Sequence, residues 1–297
     1  GELRASLPRN VVNNILSNGR ECMNKWGVLT KERVISTVTP THPHWDHMGL
    51  FPYLDTEIKF ILSGPEIGFA NAITSKAGSW RRRITDRKMI TRPMFGGAYE
   101  RKEVDIQPYY FSGTPIRLSS QLTMEPHFVT HSAPAVWQLY TAMTKSNGVI
   151  NIFNSGDWNV NREKTILKVA ERLAGRADIM TMEATNMGSE KVYVGKTEAD
   201  VRDTMLKLMK ESKNEAVVAI APINNLTRLK GLLEVAEASG RKLALSFPHA
   251  EFCLQIAAAK EMAPRGAEGF EDVLPYDIGN DSLTLWAKKM TTPKTYH

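Results

Sequence analysis

The sequence predicts an α/β protein with a β-rich first half and a second half in which strands and helices alternate. Three observations carry that prediction. At 297 residues, 42% hydrophobic and 24% charged, the chain can bury a large core as one big domain or two. Up to Phe153 the apolar residues fall in short β-branched runs between turn residues, the pattern of a β-meander. Beyond Gly156, stretches with helical spacing alternate with short apolar runs, which reads as βαβ units on a parallel sheet.

The elements follow in order. Val11, Val12, Ile15, Leu16, Cys22, Met23 and Trp26 are spaced for a helix. The β-branched run 34–39 reads as a buried strand stopped by Pro40, and 58–62 as a second strand. A helical region is expected through the basic segment to Gly96-Gly97, then short strands near 103–107, 115–118 and 126–130. Another strand, 149–153, ends at Ser155-Gly156-Asp157. Helix 161–174 stops at Gly175 and strand 178–183 follows. Thr197 and Asp200 form a capping box for a helix to about Ser212. Strand 216–221, an amphipathic helix from Leu226 to Ser239 closed by Gly240, and strand 241–246 complete the series. Met180, Met182, Met205 and Met209 fit core positions at strand or helix spacing.

Composition narrows the function classes. No run approaches the roughly 18 consecutive apolar residues of a membrane helix, and the start lacks the basic-then-apolar order of a secretory signal. A soluble, cytoplasmic chain without membrane contact is expected. Two cysteines, Cys22 and Cys253, make no disulfide framework and no zinc-spaced pair, so a metal would be held by histidine and carboxylate. The net charge of +6 is concentrated in residues 76–102. There Lys76, Arg81, Arg82, Arg83, Arg87, Lys88, Arg92, Arg101 and Lys102 face only Asp86 and Glu100. Such a patch, with Arg81, Arg82, Arg83, Arg87, Lys88 and Arg92 at its centre, suits a polyanion, because cations that neutralise phosphates release condensed counterions. A solvated charged helix is the plainer alternative.

Chemistry concentrates in Thr41-His42-Pro43-His44-Trp45-Asp46-His47-Met48-Gly49, where four candidate ligands stand within six positions just after a strand. Alternation along such a tight loop lets His42 and His44 serve one ion while Asp46 and His47 turn toward a neighbour. Neutral imidazole and carboxylate both suit zinc. Trp45 either walls that site or fills core space.

This cluster resembles the defining motif of the metallo-β-lactamase superfamily. Phe128-Val129-Thr130-His131-Ser132 matches that family's next metal-binding histidine, and Asn154-Ser155-Gly156-Asp157-Trp158 its Gly-Asp element. The stretch from Ala177 to Asn186, with Glu183 as the acidic residue, resembles ribonuclease J and other β-CASP nucleases, as does His131-Ser132-Ala133-Pro134. The resemblance spans roughly residues 33–247. It implies an αββα sandwich over residues 1–187 and part of a β-CASP-like α/β region over 188–297. By the same resemblance, His42, His44 and His131 would hold one Zn2+, and Asp46, His47 and Asp157 a second, with Asp157 shared. Mn2+ or Mg2+ are alternative ions.

The chain departs from the family's pattern at both ends. The 41 residues ahead of His42 are fewer than the family's opening hairpins need, and neither the β-CASP histidine motifs nor the last metal-binding histidine follows Ser246. Asn224 and Asn225 stand where a simpler member would carry that histidine, and His249 sits in a different context. The second metal site is therefore expected to be one ligand short.

The implied activity is phosphodiester hydrolysis in RNA, or single-stranded DNA, by metal-activated water. Asp46 would orient that water as well as bind metal, and Glu183 would support the ligands or move a proton. Two rivals remain at this stage: the same metals acting on a β-lactam, lactone or thioester, and a degenerate nucleic-acid-binding subunit. Homo-oligomerisation is left open. His127 reads as an ordinary strand residue, His249 as a helix-start residue and His297 as terminal.

Overall fold

The computed structural model describes residues 36–48, 58–76, 88–91, 100–103, 105–129, 131–146, 148–158, 170, 171, 173, 175–183, 197–212, 215–222, 224–274 and 282–286. The expected first helix and the rest of the expected helix 161–174 lie outside them. So do Arg81, Arg82, Arg83, Arg87, Arg92, Asn186 and His297, along with the side chains of Trp45 and Lys88.

Two sheets lie at the centre. The first is parallel, in the order β1 (Thr37–Val38), β2 (Lys59–Ser63), β5 (Ile106–Tyr109). The second runs β10 (Ile179–Thr181), β9 (Val149–Asn154), β8 (Ala135–Met143), β7 (Leu122–Val129), β6 (Ile116–Arg117). It is antiparallel except where β10 lies parallel to β9.

Alternation along the strands decides which side chains enter which layer. Ile61 joins Tyr109, Ile116, Met124 and Val136 in a core between the sheets. Its neighbours Phe60 and Leu62 turn the other way, onto Ala70 of helix α2 (Gly64–Lys76). On the outer face of the second sheet, Trp137, Leu139 and Phe153 pack against Leu173 and Trp158. Among the described residues the result is a helix–sheet–sheet layering, with Leu173 and Trp158 on the outer face of the second sheet.

The second half packs on the far side of α2. Phe69 and Ala72 share a core with α4 (Leu226–Ala238), β11 (Leu243–Ser246) and α5 (Phe247–Glu261), through Leu229, Leu233, Leu245, Phe252 and Ile256. α2 and α5 cross so closely that a Cβ on Gly68 would lie 2.6 Å from that of Ala259. α2 is thus apolar on two faces. β11 pairs in parallel with β12 (Leu283–Trp286), α5 lying between them in the chain. Helix α3 (Glu198–Glu211) begins with the expected capping box, the Thr197 hydroxyl on the Asp200 amide and the Asp200 carboxylate on the Thr197 amide. Gly240 has the left-handed φ of 68° expected of the residue that closes α4.

Four expectations are corrected. Strand β8, central to the second sheet, was not expected, although Ala-Val-Trp-Gln-Leu-Tyr-Thr-Ala-Met is rich in β-formers. Within the region expected to be helical, residues 88–91 form β3, paired antiparallel with β4 (Glu100–Glu103). That register sets residue 88 opposite residue 103.

Residues 216–221 form no strand. The Arg241 guanidinium binds the carbonyls of Glu215, Ser212 and Met209, and His249 Nε2 lies 3.3 Å from the carbonyl of Ala221. Side chains therefore hold the segment at its ends in place of a ladder, and Val218 and Ile220 are 85% and 99% exposed. Met180 and Met182 are exposed as well, and among the described residues β10 is the last strand of its sheet. Among the described residues no helix is long and apolar enough to cross a membrane.

Candidate metal centre

The candidate ligands all follow strand ends on one rim of the layers. His42, His44, Asp46 and His47 follow β1, His131 follows β7 and Asp157 follows β9. Residues 45–48 make a single turn of helix, α1 (Trp45–Met48), closed by Met48 N donating to His44 O at 2.9 Å. That turn is what brings His47 back beside His42, with ring centroids 3.9 Å apart.

A polar network fixes the loop that carries these groups. Gln138 on β8 donates from Nε2 to the carbonyls of Thr39 (3.1 Å) and Pro40 (2.8 Å). Its Oε1 accepts from Tyr140 and Asn154. The Val136 amide donates to the Thr41 carbonyl at 2.8 Å. Burying Gln138 costs little because both its donors and its acceptor are used.

Two groups of potential ligands converge. One is His42, His44 and His131, the other His42, His47 and Asp157, and within each group the ligand atoms lie within 4.8 Å of one another. His44 Nδ1 is 3.1 Å from His131 Nε2, and His47 Nε2 is 3.5 Å from Asp157 Oδ1. Neighbouring ligands of a tetrahedral zinc lie about 3.4 Å apart, so both spacings fit an ion.

His42 is common to both groups. It is fully buried, its Nε2 has no hydrogen-bond partner and stands 3.8 Å from Asp157 Oδ2. An orphaned ring nitrogen amid three imidazoles and a carboxylate is the donor set expected around a divalent cation. Burial, followed by the fields of His47, His44 and His131, holds the His42 pKa down to about 2. Burial lowers that of His44 too, against the opposing pull of Asp46 and Asp157. Both rings are therefore neutral at neutral pH, the form that binds metal.

The structure places the remaining expected residues differently from one another. The Asp46 side chain is 74% exposed, with Oδ2 3.6 Å from His47 Nε2, and belongs to neither group. Asp157 belongs to the second group only, so the residue common to both is His42. Glu183 Oε1 accepts the Trp158 amide at 2.9 Å, and the Glu183 amide donates to Ser155 Oγ at 3.1 Å. Its carboxylate thus pins the turn that presents Asp157. His127 is a buried residue of β7 bonded to Glu125 at 2.8 Å, and His249 belongs to α5, bonded to Ser246.

Thr41 and Ser132 were not singled out in the sequence, yet both touch the imidazoles. Thr41 Oγ1 lies 3.1 Å from His42 Nδ1 and 3.4 Å from His47 Nδ1, and Ser132 Oγ 3.2 Å from His44 Nε2. Only their adjacency to histidines in the chain could have signalled them.

Fold and site together define a mixed α/β protein with a histidine-rich candidate metal centre at one rim of its sheets. No family model and no curated protein matches the sequence. Among solved structures, the fold is similar to that of a protein of unknown function from Enterococcus faecalis V583, at a TM-score of 0.58 and 16% identity over 88% of this chain. The chain spans 60% of the length of that structure. Two metallo-β-lactamases are more distant structural neighbours. MEM-A1, a subclass B3 enzyme isolated from a soil metagenome library, has a TM-score of 0.32 and 12% identity, covering 54% of this chain and 61% of its own. The Rm3 enzyme has a TM-score of 0.28 and 13% identity, covering 76% and 71%.

Proposed function

We propose that the chain is a metal-dependent hydrolase of metallo-β-lactamase type that cleaves phosphodiester bonds in RNA or single-stranded DNA. The observation that carries the hydrolase reading is the convergence of two ligand groups on the buried, unpartnered Nε2 of His42. His42, His44 and His131 would hold one ion, and His47 and Asp157 would contribute to a second, since the one free lone pair of His42 Nε2 binds a single ion. When bound, such ions would lower the pKa of water toward 7 and offset charge on the attacking and leaving oxygens.

The protein's own groups have distinct tasks in this reading. Asp46, exposed beside His47, would accept a proton at Oδ2 from attacking water and pass it to solvent. Glu183 acts through the Trp158 amide to keep the Asp157 turn in place. The Arg81–Arg92 segment would supply, by its sequence, the cations that a polyanionic substrate needs. The nucleic-acid part of the reading rests on that segment and on the ribonuclease J-like motifs around His131 and Glu183.

Three assays on the purified chain test the proposal. Metal analysis is expected to give about two zinc ions per chain. Labelled RNA should be degraded by the wild type and left intact by His44→Ala. Equal degradation by both proteins, or less than one ion bound, overturns the reading. Turnover of a chromogenic β-lactam or a lactone with RNA untouched would reassign the substrate to the small-molecule class.

A further inference from the structure

Behind three of the four clustered imidazoles stands a hydroxyl oxygen, always on the ring nitrogen turned away from the partner ligand atoms. Thr41 Oγ1 serves His42 Nδ1 and His47 Nδ1, while the Nε2 atoms of both rings face Asp157 at 3.8 and 3.5 Å. Ser132 Oγ serves His44 Nε2, while His44 Nδ1 faces His131. A neutral imidazole carries one proton, so whichever nitrogen donates to a hydroxyl leaves the other as a bare lone pair.

We infer that Thr41 is a positioning residue that holds His42 and His47 in the Nδ1–H form, presenting both Nε2 lone pairs on the side of Asp157, and that Ser132 does the same for His44 in the opposite sense. One hydroxyl oxygen can perform the double task, since it has two lone pairs and accepts from two N–H groups at once. The His42 ring supplies the independent argument. A proton on its Nε2 would be a buried donor with no acceptor, and orphaned buried N–H groups are the rarer and costlier kind of unpaired polar atom. The proton therefore belongs on Nδ1, where Thr41 accepts it.

Thr41 is held for this role from three sides. Its carbonyl accepts the Val136 amide, the preceding carbonyl of Pro40 is held by Gln138, and its side chain is pressed against Gly156. Unlike the carboxylate that often backs a metal-binding histidine, a hydroxyl adds no charge. It orients the ring without drawing a proton onto it. This inference rests on the proposed metal centre, but its first readout needs no metal.

The decisive measurement is the nitrogen chemical shifts of the imidazoles in metal-free, 15N-labelled protein near pH 7. Wild type and Thr41→Ser are expected to show Nδ1–H for His42 and His47, and Thr41→Val, with the same shape and no hydroxyl, to lose that signature. Nε2–H at His42 in the wild type overturns the inference, as does an unchanged Thr41→Val spectrum. A zinc competition titration with a chelator follows. Thr41→Val should weaken zinc binding about 10–100-fold, the usual cost of losing a partner behind a metal-binding histidine. Thr41→Ser should restore it to within about threefold. Equal affinity in wild type and Thr41→Val overturns the inference as well. If no variant binds zinc, the hydrolase reading fails while the spectra still decide the tautomers. If Thr41→Val fails to fold, the wild-type and Thr41→Ser spectra decide alone.

Discussion

Gly156 and Thr41 approach so closely that a methyl group cannot fit between them. A Cβ on Gly156 would lie 2.4 Å from Thr41 Cβ and 2.5 Å from its Oγ1, and Gly156 itself has φ of +50°. This contact locks the Asp157 turn, after β9, onto the histidine loop, after β1.

Gly156→Ala should therefore damage both stability and the second ligand group. The left-handed backbone and the overpacked contact together cost about 2–4 kcal/mol, read as a clear fall in thermal midpoint. Zinc bound by His47 and Asp157 should be lost first. An unchanged midpoint would show that the two loops move apart freely.

Substitution of single ligands should separate the two groups. Because the His42 Nε2 borders both groups, His42→Ala is expected to weaken zinc binding more than the loss of either neighbour. His44→Ala and His47→Ala should each leave about one ion. Stoichiometry by elemental analysis checks this, and equal loss in all three variants contradicts the sharing.

Glu66 predicts an unusual pH dependence. It is fully buried at the start of α2, with Oε2 bonded to the Ser63 amide (2.6 Å) and Tyr109 (3.4 Å), and Oε1 without a partner. Burial, against the opposing hydrogen bonds, raises its pKa from 4.5 to about 8. Between these values the unfolded chain has released a proton that the folded chain keeps, so stability falls as pH rises from 4.5 to 8. Below that window the cost is absent, and above it the cost is complete. Glu66→Gln removes the ionisation and should raise stability at pH 8 by about 2–4 kcal/mol. Denaturant titrations at pH 5 and pH 8 measure it, and parallel losses in wild type and variant would refute it.

Glu183 gives a test of position against charge. Glu183→Gln keeps an oxygen for the Trp158 amide and should hold the Asp157 turn. Glu183→Ala leaves that amide without its acceptor and should cost about 1–2 kcal/mol, together with weaker zinc binding at His47 and Asp157. If Gln behaves like Ala, the charge of Glu183 matters and not its hydrogen bond.

Much of the site was legible because its chemistry is local. Four of the six expected ligands stand within six positions, and imidazole and carboxylate at that density have no ordinary place in a core. The Thr197–Asp200 capping box and Gly240 were legible for the same reason, since each depends on groups a few residues apart. Strand β8 and hairpin β3–β4 were not, because a strand is defined by its partner, and Val136–Thr41 and Lys88–Glu103 pairings span residues the chain alone does not bring together. The segment 216–221 failed in the opposite direction: it has β-forming residues, but Arg241 bonds the carbonyl of Glu215 just before it and His249 lies against that of Ala221 at its end.

The amino-acid order alone determined the candidate ligand types, the position of their loop after a strand, and the helix boundaries set by local hydrogen bonds. Tertiary structure alone decided that His42 is the ligand common to both groups, that Glu183 bonds the Trp158 amide, and that Thr41 and Ser132 stand behind the imidazoles. These are distances of 3 to 4 Å between side chains carried on separate strand ends. They arise when packing of the two sheets closes the rim, and no spacing along the chain encodes them.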